Sequence, residues 1–382
     1  MFARRLLPPP ASFFLFGPRC TGKSTWIASH FAGAPTYDLL NTRESLRLSR
    51  DPEALYREME GLPAGTWVVI DEVQKMPELL DEVHRLIEGR RLRFVLSGSS
   101  ARKLKRGGGN LLAGRAVVEQ TFPLVSAELA FGPPVDDLLV HGSMPLAVTG
   151  ADPAGYLLAY AETYLEGEIR AEALTRSIGA FSRFLEVAAR QNGQVTNLSA
   201  ISRDAAVARS TVQNYFEILE DTLVGHWVYP WKLKRATKQM SHPKFYLFDC
   251  GVARALSGRL PYPPAPEEEG PLLETLLLAE MRAYVAYAKL RYPLYYWRNY
   301  DGVEVDVLCE TRRGFVAVEI KSAARWERRY QRGLERMRTE LGAHRVRGYG
   351  VYRGTRPARW NDIEILPVME FLRRLWDGDI ID

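Results

Sequence analysis

The segment Gly17-Pro-Arg-Cys-Thr-Gly-Lys23-Ser24 places glycine, glycine, lysine and a hydroxyl at the spacing GxxxxGK[ST]. A loop of this kind turns its backbone N–H groups toward a phosphate chain, its lysine reaches the β- and γ-phosphates, and its serine hydroxyl faces a Mg²⁺ ion. On this reading Gly17, Pro18, Arg19, Cys20, Thr21, Gly22, Lys23, Ser24 and Thr25 cradle a nucleoside triphosphate. Val68-Val-Ile-Asp71-Glu72 is the acidic companion such a loop requires. Asp71, at the end of an apolar run, holds Mg²⁺ with Ser24, and Glu72 polarises the attacking water as general base. Ser97-Gly-Ser99-Ser100 closes the next apolar run, so Ser97 or Ser99 is placed to sense the γ-phosphate. Cations follow at Arg102, Lys103, Lys105, Arg106 and Arg115, around Gly107–Gly109. Of these, Arg115 is expected to act as an arginine finger, in cis or toward a neighbouring subunit.

A second constellation lies near the other end. In Val303-Glu304-Val305-Asp306-Val307, strand alternation puts the two acids on one face and the valines on the other, and Glu319 and Lys321 likewise share a face. A hairpin around Gly314 would bring Asp306 and Glu319 together beside Lys321, an arrangement that resembles the PD-(D/E)xK nuclease core. There, carboxylates hold Mg²⁺ and a lysine orients the water that attacks a phosphodiester. Glu274, on the preceding helix, would complete a metal-ligating set of Glu274, Asp306 and Glu319, with Asp306, Glu319 and Lys321 as the catalytic group.

Between the two, Leu198–Asp204, a break at Ala205–Ala208 and Arg209–Leu219 read as helix-turn-helix. Val212, Tyr215, Phe216 and Leu219 share the buried face of the second helix, leaving Arg209, Ser210, Thr211, Gln213 and Asn214 for a DNA groove. Two strands after it, His226–Tyr229 and Lys244–Phe248, with Lys232, Lys234, Arg235 and Lys238 between them, read as a basic wing suited to phosphate contacts.

The elements that must position these groups follow from apolar periodicity. Short buried strands at Ser12–Phe16, Thr66–Ile70 and Leu92–Leu96 alternate with helices at Lys23–Phe31 and Pro77–Glu88, which dictates a parallel sheet covered on both faces. Residues 1–140 are this α/β domain, and 141–260 are a helical lid and winged-helix region. The proline- and glutamate-rich 261–270 reads as a linker, and 271–382 as a second α/β domain with a helix at Leu272–Lys289 and strands at Leu294–Trp297, Val303–Leu308, Phe315–Ile320 and Val346–Tyr352.

The whole chain of 382 residues, 46% hydrophobic and 25% charged, excludes a disordered or collagen-like polymer. Three separated cysteines give no disulfide framework, and six scattered histidines show no zinc spacing. No window reaches ~18 apolar residues, and prolines interrupt the basic, apolar start before a signal-peptide core. A cytoplasmic, reduced protein without a membrane partner is expected. The net charge of +5 suits a polyanionic partner without a distinct basic tail.

Phe13–Trp26, Trp67–Gln74, Ser97–Leu104 and Asn110–Ala116 together resemble a large prokaryotic family of AAA-type ATPases. In that family a P-loop domain precedes a winged-helix region and a restriction-endonuclease-like C-terminal domain. The resemblance implies ATP and Mg²⁺ as cofactors, duplex or branched DNA as partner, ATP hydrolysis with possible DNA cleavage, and a homo-oligomer. The competing expectation is a nucleotide-switched regulatory protein whose tail binds without cutting. Cys20 departs from the family pattern but leaves the phosphate-contacting positions intact.

Overall fold

Phe13–Phe16, buried throughout, forms β1 at the centre of a five-stranded sheet with β2 (Thr36–Asp38), β3 (Trp67–Asp71), β4 (Arg93–Gly98) and β5 (Val117–Gln120). Every pairing is parallel and the order is β2-β3-β4-β1-β5. The computed structural model describes residues 2–100, 104, 112, 114–164, 178–232, 242–299 and 301–382. Sequence reading missed β2 and β5. β2 is three residues long, and β5 leaves Val117 37% and Val118 60% exposed, so neither has the pattern of a buried strand. The order inserts β4 between the P-loop strand and the acidic strand. Leu15 pairs with Ser97 and Ile70 with Leu96, so the carboxyl ends of β1, β4 and β3 lie side by side. Ligands of open parallel sheets bind at such ends.

The described chain divides into two compact units. Leu6–Pro123 with Ile218–Val224 make the first, and the remaining residues make the second. In the second, a helical stretch leads to an antiparallel pair, β6 (Gly225–Val228) and β7 (Lys244–Leu247). A long helix, Pro266–Tyr287, then precedes a six-stranded mixed sheet ordered β12-β13-β11-β10-β9-β8. Its strands are β8 (Leu294–Arg298), β9 (Glu304–Thr311), β10 (Gly314–Lys321), β11 (Val346–Tyr352), β12 (Ala358–Trp360) and β13 (Ile363–Pro367). β8, β9 and β10 run antiparallel in sequence, whereas β11 joins β10 in parallel after the Arg332–Leu341 helix.

Two expectations change here. The stretch 261–270 does not separate two bodies. Pro266 opens the long helix at a position where a missing N–H costs nothing, and Glu268 Oε2 accepts the Ala265 N–H at 2.7 Å. Val228, Tyr246 and Cys250 share one core with Leu273, Met281, Val318 and Phe371, so 141–260 and 271–382 are packed together. The second change concerns β9. The register against β8 shifts, with two residues of β8 spanning three of β9 between Leu308 and Val305. This bulge sends Val305 into one hydrophobic cluster and Val307 into the other, where strict alternation put them on one face.

Candidate functional site

The P-loop follows β1 and ends in the Lys23–His30 helix, with Gly22 at φ 92° as its first cap. Cys20 also sits at positive φ, 57°, and is exposed. Beyond β5, Thr121 clamps the loop from the side. Its hydroxyl lies 3.0 Å from that of Thr21, which donates to Pro18 O at 2.7 Å, and a Cβ on Gly17 would meet Thr121 Oγ1 at 2.1 Å. Glycine is required there by close approach. Lys23 is buried, and its ammonium donates to Gly17 O at 2.7 Å and Pro18 O at 3.0 Å. Burial pushes its pKa down to about 8 against the opposing pull of Glu72 and Asp71.

Ser24 Oγ lies 3.4 Å from Asp71 Oδ2, and Ser97 donates a short hydrogen bond to Asp71 Oδ1. A hydroxyl and a carboxylate facing each other form a hard-oxygen pair that fits Mg²⁺. Glu72 is buried at φ 57°, a strained setting for a non-glycine residue. Its Oε2 stands 3.9 Å from Arg19 Nη2 and accepts from Gln74 Nε2 at 2.5 Å. Ser99 is buried and accepts from the same Gln74 nitrogen. The loop, Lys23, Ser24, Asp71, Glu72, Ser97 and Ser99 therefore meet at one edge of the sheet. Arg115 is not among them. It precedes β5, whose Val117 N–H bonds Ser12 O at the start of β1, and it pairs with Glu88 at the end of a helix. This is the amino-terminal edge, opposite the P-loop, so a finger acting in cis is ruled out by the strand direction. Arg102, Lys103, Lys105, Arg106 and Gly107–Gly109 lie outside the described residues.

In the second unit the pairing of Val318 with Val307 sets Glu319 next to Asp306, and Asp306 Oδ2 accepts the Ile320 N–H at 2.7 Å. Lys321 reaches Glu319 at 2.5 Å and Asp306 at 3.7 Å. Glu274, from the long helix, accepts from Tyr246 at 2.6 Å and from Lys244 at 3.4 Å. Lys244 also meets Glu304 at 2.5 Å. Burial and the nearby Asp306 push the Glu274 carboxyl up to about 7, and Glu319 is raised for the same two reasons. Burial works against the charge of both lysines. Glu274, Tyr246 and Asp306 nevertheless hold Lys244 well above its ordinary range, and Asp306 and Glu319 do the same for Lys321.

The donors are hard oxygens, and Glu319 Oε2 is buried without a partner. Two ammonium groups nevertheless stand among the carboxylates. No group of three or more histidine, cysteine, aspartate or glutamate side chains among the described residues is arranged to hold a metal ion. Asp306, Glu319 and Lys321 are brought together, and Lys244 stands against Glu274 as a cation that the spacing did not suggest. Lys244 and Tyr246 were missed because they come from β7, far off in sequence. The available signal was a lysine opening an otherwise apolar strand.

The two helices read from sequence as helix-turn-helix span Leu198–Asp204 and Arg209–Asp221, with Ala206 at φ 52° between them. Val212, Tyr215, Phe216 and Leu219 are buried, Arg209, Ser210, Gln213 and Asn214 are exposed, and Thr211 is half-buried. Lys232 is exposed, whereas Lys234, Arg235 and Lys238 lie outside the described residues.

Residues 10–130 match a family described as an AAA domain, and residues 133–262 and 269–371 match two domains of unknown function, DUF8612 and DUF4143. The boundary between the last two falls inside 261–270. An uncharacterized protein of Mycobacterium tuberculosis is 28% identical over 328 residues, covering 83% of this chain and 72% of its own. One from Mycobacterium bovis matches with the same figures. Among solved structures, Aeropyrum pernix Orc1 in complex with DNA gives a TM-score of 0.27 at 16% identity, over 66% of this chain and 87% of its own. A Vibrio cholerae protein gives 0.23 at 12%, over 96% of each chain. Scores this low carry no argument. The family match and the parallel sheet with its loop make the N-terminal part an AAA-type P-loop domain. No helix among the described residues is long and apolar enough to cross a membrane.

Proposed function

We propose that this chain is a Mg²⁺-dependent ATPase of AAA type whose nucleotide cycle is coupled to DNA binding. The observation that carries the reading is the convergence of Lys23, Ser24, Asp71 and Glu72 at the carboxyl ends of β1 and β3. Loop N–H groups and Lys23 bind the β- and γ-phosphates, and the anion restores the charge that burial disfavours on Lys23. Ser24 and Asp71 would hold Mg²⁺, which when bound supplies neutralising charge to the phosphate oxygens. Glu72 accepts the proton of the attacking water. Ser97 orients Asp71, and Ser99 faces the edge where the γ-phosphate lies. Arg115, remote from its own loop, serves as a finger only for a neighbouring copy, so the reading includes a homo-oligomer.

Exposed Arg209, Gln213 and Lys232, with Thr211 at the rim, support a DNA-facing surface on the second helix and wing. The tail's helix–strand–strand–strand–helix–strand order supports a restriction-endonuclease-like module. Lys321 beside Asp306 and Glu319 fits the nuclease pattern, whereas Lys244, a further cation held against Glu274 and Glu304, favours a module that binds without cleaving.

The test is ATP turnover by the purified chain with and without Mg²⁺, and with duplex or branched DNA. Lys23→Ala should abolish turnover, and Glu72→Gln should slow it by ~10²–10⁴-fold while retaining ATP. Wild-type turnover in Lys23→Ala would overturn the reading. DNA affinity should fall as salt rises, and Mg²⁺-dependent nicking lost in Asp306→Ala would restore a nuclease role to the tail.

A further inference from the structure

Gln74 lies three residues beyond Asp71, in the short turn Val73–Lys75 that follows β3. It is 4% exposed, and its single amide nitrogen donates twice, to Glu72 Oε2 at 2.5 Å and to Ser99 Oγ at 3.2 Å. Its oxygen, Oε1, is buried and has no partner. A buried amide normally satisfies both ends, so leaving the oxygen unmet in order to grip two acceptors is a costly arrangement. The amide lies close against the backbone of β4. A Cβ on Gly98, the residue between Ser97 and Ser99, would come within 2.2 Å of Gln74 Oε1, so β4 narrows to glycine where the amide crosses.

The turn and the strand thus hold Gln74 as a strut between two groups with different duties. Glu72 stands at a strained backbone setting, φ 57°, of the kind that persists where surrounding contacts hold it, and its carboxylate meets Gln74 and, at 3.9 Å, Arg19. Ser99 directly follows β4, the strand that lies between the P-loop strand and the acidic strand.

We infer that Gln74 is a positioning residue for hydrolysis, fixing the Glu72 carboxylate and tying its direction to Ser99 at the γ-phosphate edge. The inference rests on the proposed roles of Glu72 and Ser99 in ATP hydrolysis. Movement of Ser99 on meeting a γ-phosphate is passed to the base through one amide, so the base is aligned when triphosphate is present. Gln74 touches no substrate and contributes to turnover rather than to nucleotide affinity.

The test uses the full chain and separates two readouts, the ATP turnover number and the affinity for a slowly hydrolysed ATP analogue with Mg²⁺. Gln74→Leu fills a similar volume without either polar atom. Its kcat should fall ~10- to 100-fold, the scale of a misdirected catalytic group, while analogue affinity stays within about twofold. Ser99→Ala should fall less, and the double variant should be no worse than Gln74→Leu alone, because both act through the same amide. Wild-type kcat in Gln74→Leu, analogue affinity falling in step with kcat, or additive losses in the double variant would each overturn the inference. If Gln74→Leu does not fold, Gln74→Met takes its place in the same cycle. Failure of the ATPase reading is seen separately, as absence of turnover in the unmodified chain.

Discussion

Lys23 and Lys244 are both buried lysines, yet they stand in opposite electrostatic settings. Lys23 donates to two backbone carbonyls, and desolvation draws its pKa down to about 8. Lys244 lies between Glu274 and Glu304, and these partners with Tyr246 and Asp306 hold it well above the ordinary lysine value. The first has only the partial pull of Glu72 and Asp71, too weak to offset burial, so the rest of its matching charge must arrive from outside, which is the property of a binding site. The second already has its counter-charges built in, which is the property of an internal strut. Lys321, against Glu319 and Asp306, belongs with the second. Sequence reading gave Lys23 to a phosphate and Lys321 to a pair of acids, and it assigned Lys244 no site role. Burial and partner type distinguish them.

The sharpest break of this contrast is a pair of methionine substitutions read by denaturant unfolding. Lys244→Met removes the cation from among buried carboxylates and leaves their charge uncompensated, so it should cost about 3–5 kcal/mol. Adding Glu274→Gln to it should recover part of the loss, because the two effects are coupled. Lys23→Met removes a cation that burial already disfavours. It should cost no more than about 1 kcal/mol, the worth of its carbonyl hydrogen bonds, while ATP turnover drops on the order of 10²–10³-fold. Equal destabilisation by the two substitutions would erase the distinction.

What could be read from the sequence was local in the chain. The Gly17–Ser24 loop and the Asp71-Glu72 pair carry their chemistry in consecutive residues, flanked by strands whose apolar runs are unmistakable. The hairpin that sets Asp306 beside Glu319 was also legible, since one tight turn fixes its register. What escaped depends on long-range topology or on a local irregularity. Thr121 reaches Thr21 only because β5 lies beside β1, and Lys244 reaches Glu274 only because β7 packs near the long helix. The bulge in β9 overrode a clean alternation of valines and acids. Composition misled at 261–270, where prolines and glutamates suggested a tether. The same residues are good first-turn residues for a helix, with Pro266 at its start and Glu267, Glu268 and Glu269 near its positive end.

The smallest expected effect is also the most direct reading of Lys23, and it depends on pH. With a folded-state pKa of about 8 against an ordinary 10.5, the ammonium is disfavoured in the nucleotide-free protein. By linkage, its contribution to stability is fully present above 10.5 and is lost as pH falls through about 8, so between those values the free protein gains stability from this group as pH rises. A bound triphosphate reverses the preference, favouring the charged form and raising the pKa. ATP binding at about pH 8.5 should therefore take up a fraction of a proton. Affinity should be flat below about pH 7.5 and decline above about pH 8, approaching tenfold per pH unit. Calorimetry in two buffers of different ionisation enthalpy measures the proton directly. Lys23→Arg, charged at every pH in this range, should abolish both the uptake and the decline. Lys244 and Lys321, held high by their carboxylates, contribute nothing in the same window. An affinity that stays constant to about pH 9.5 in the unmodified chain would mean that Lys23 already has its counter-charge, and the contrast with Lys244 would fail.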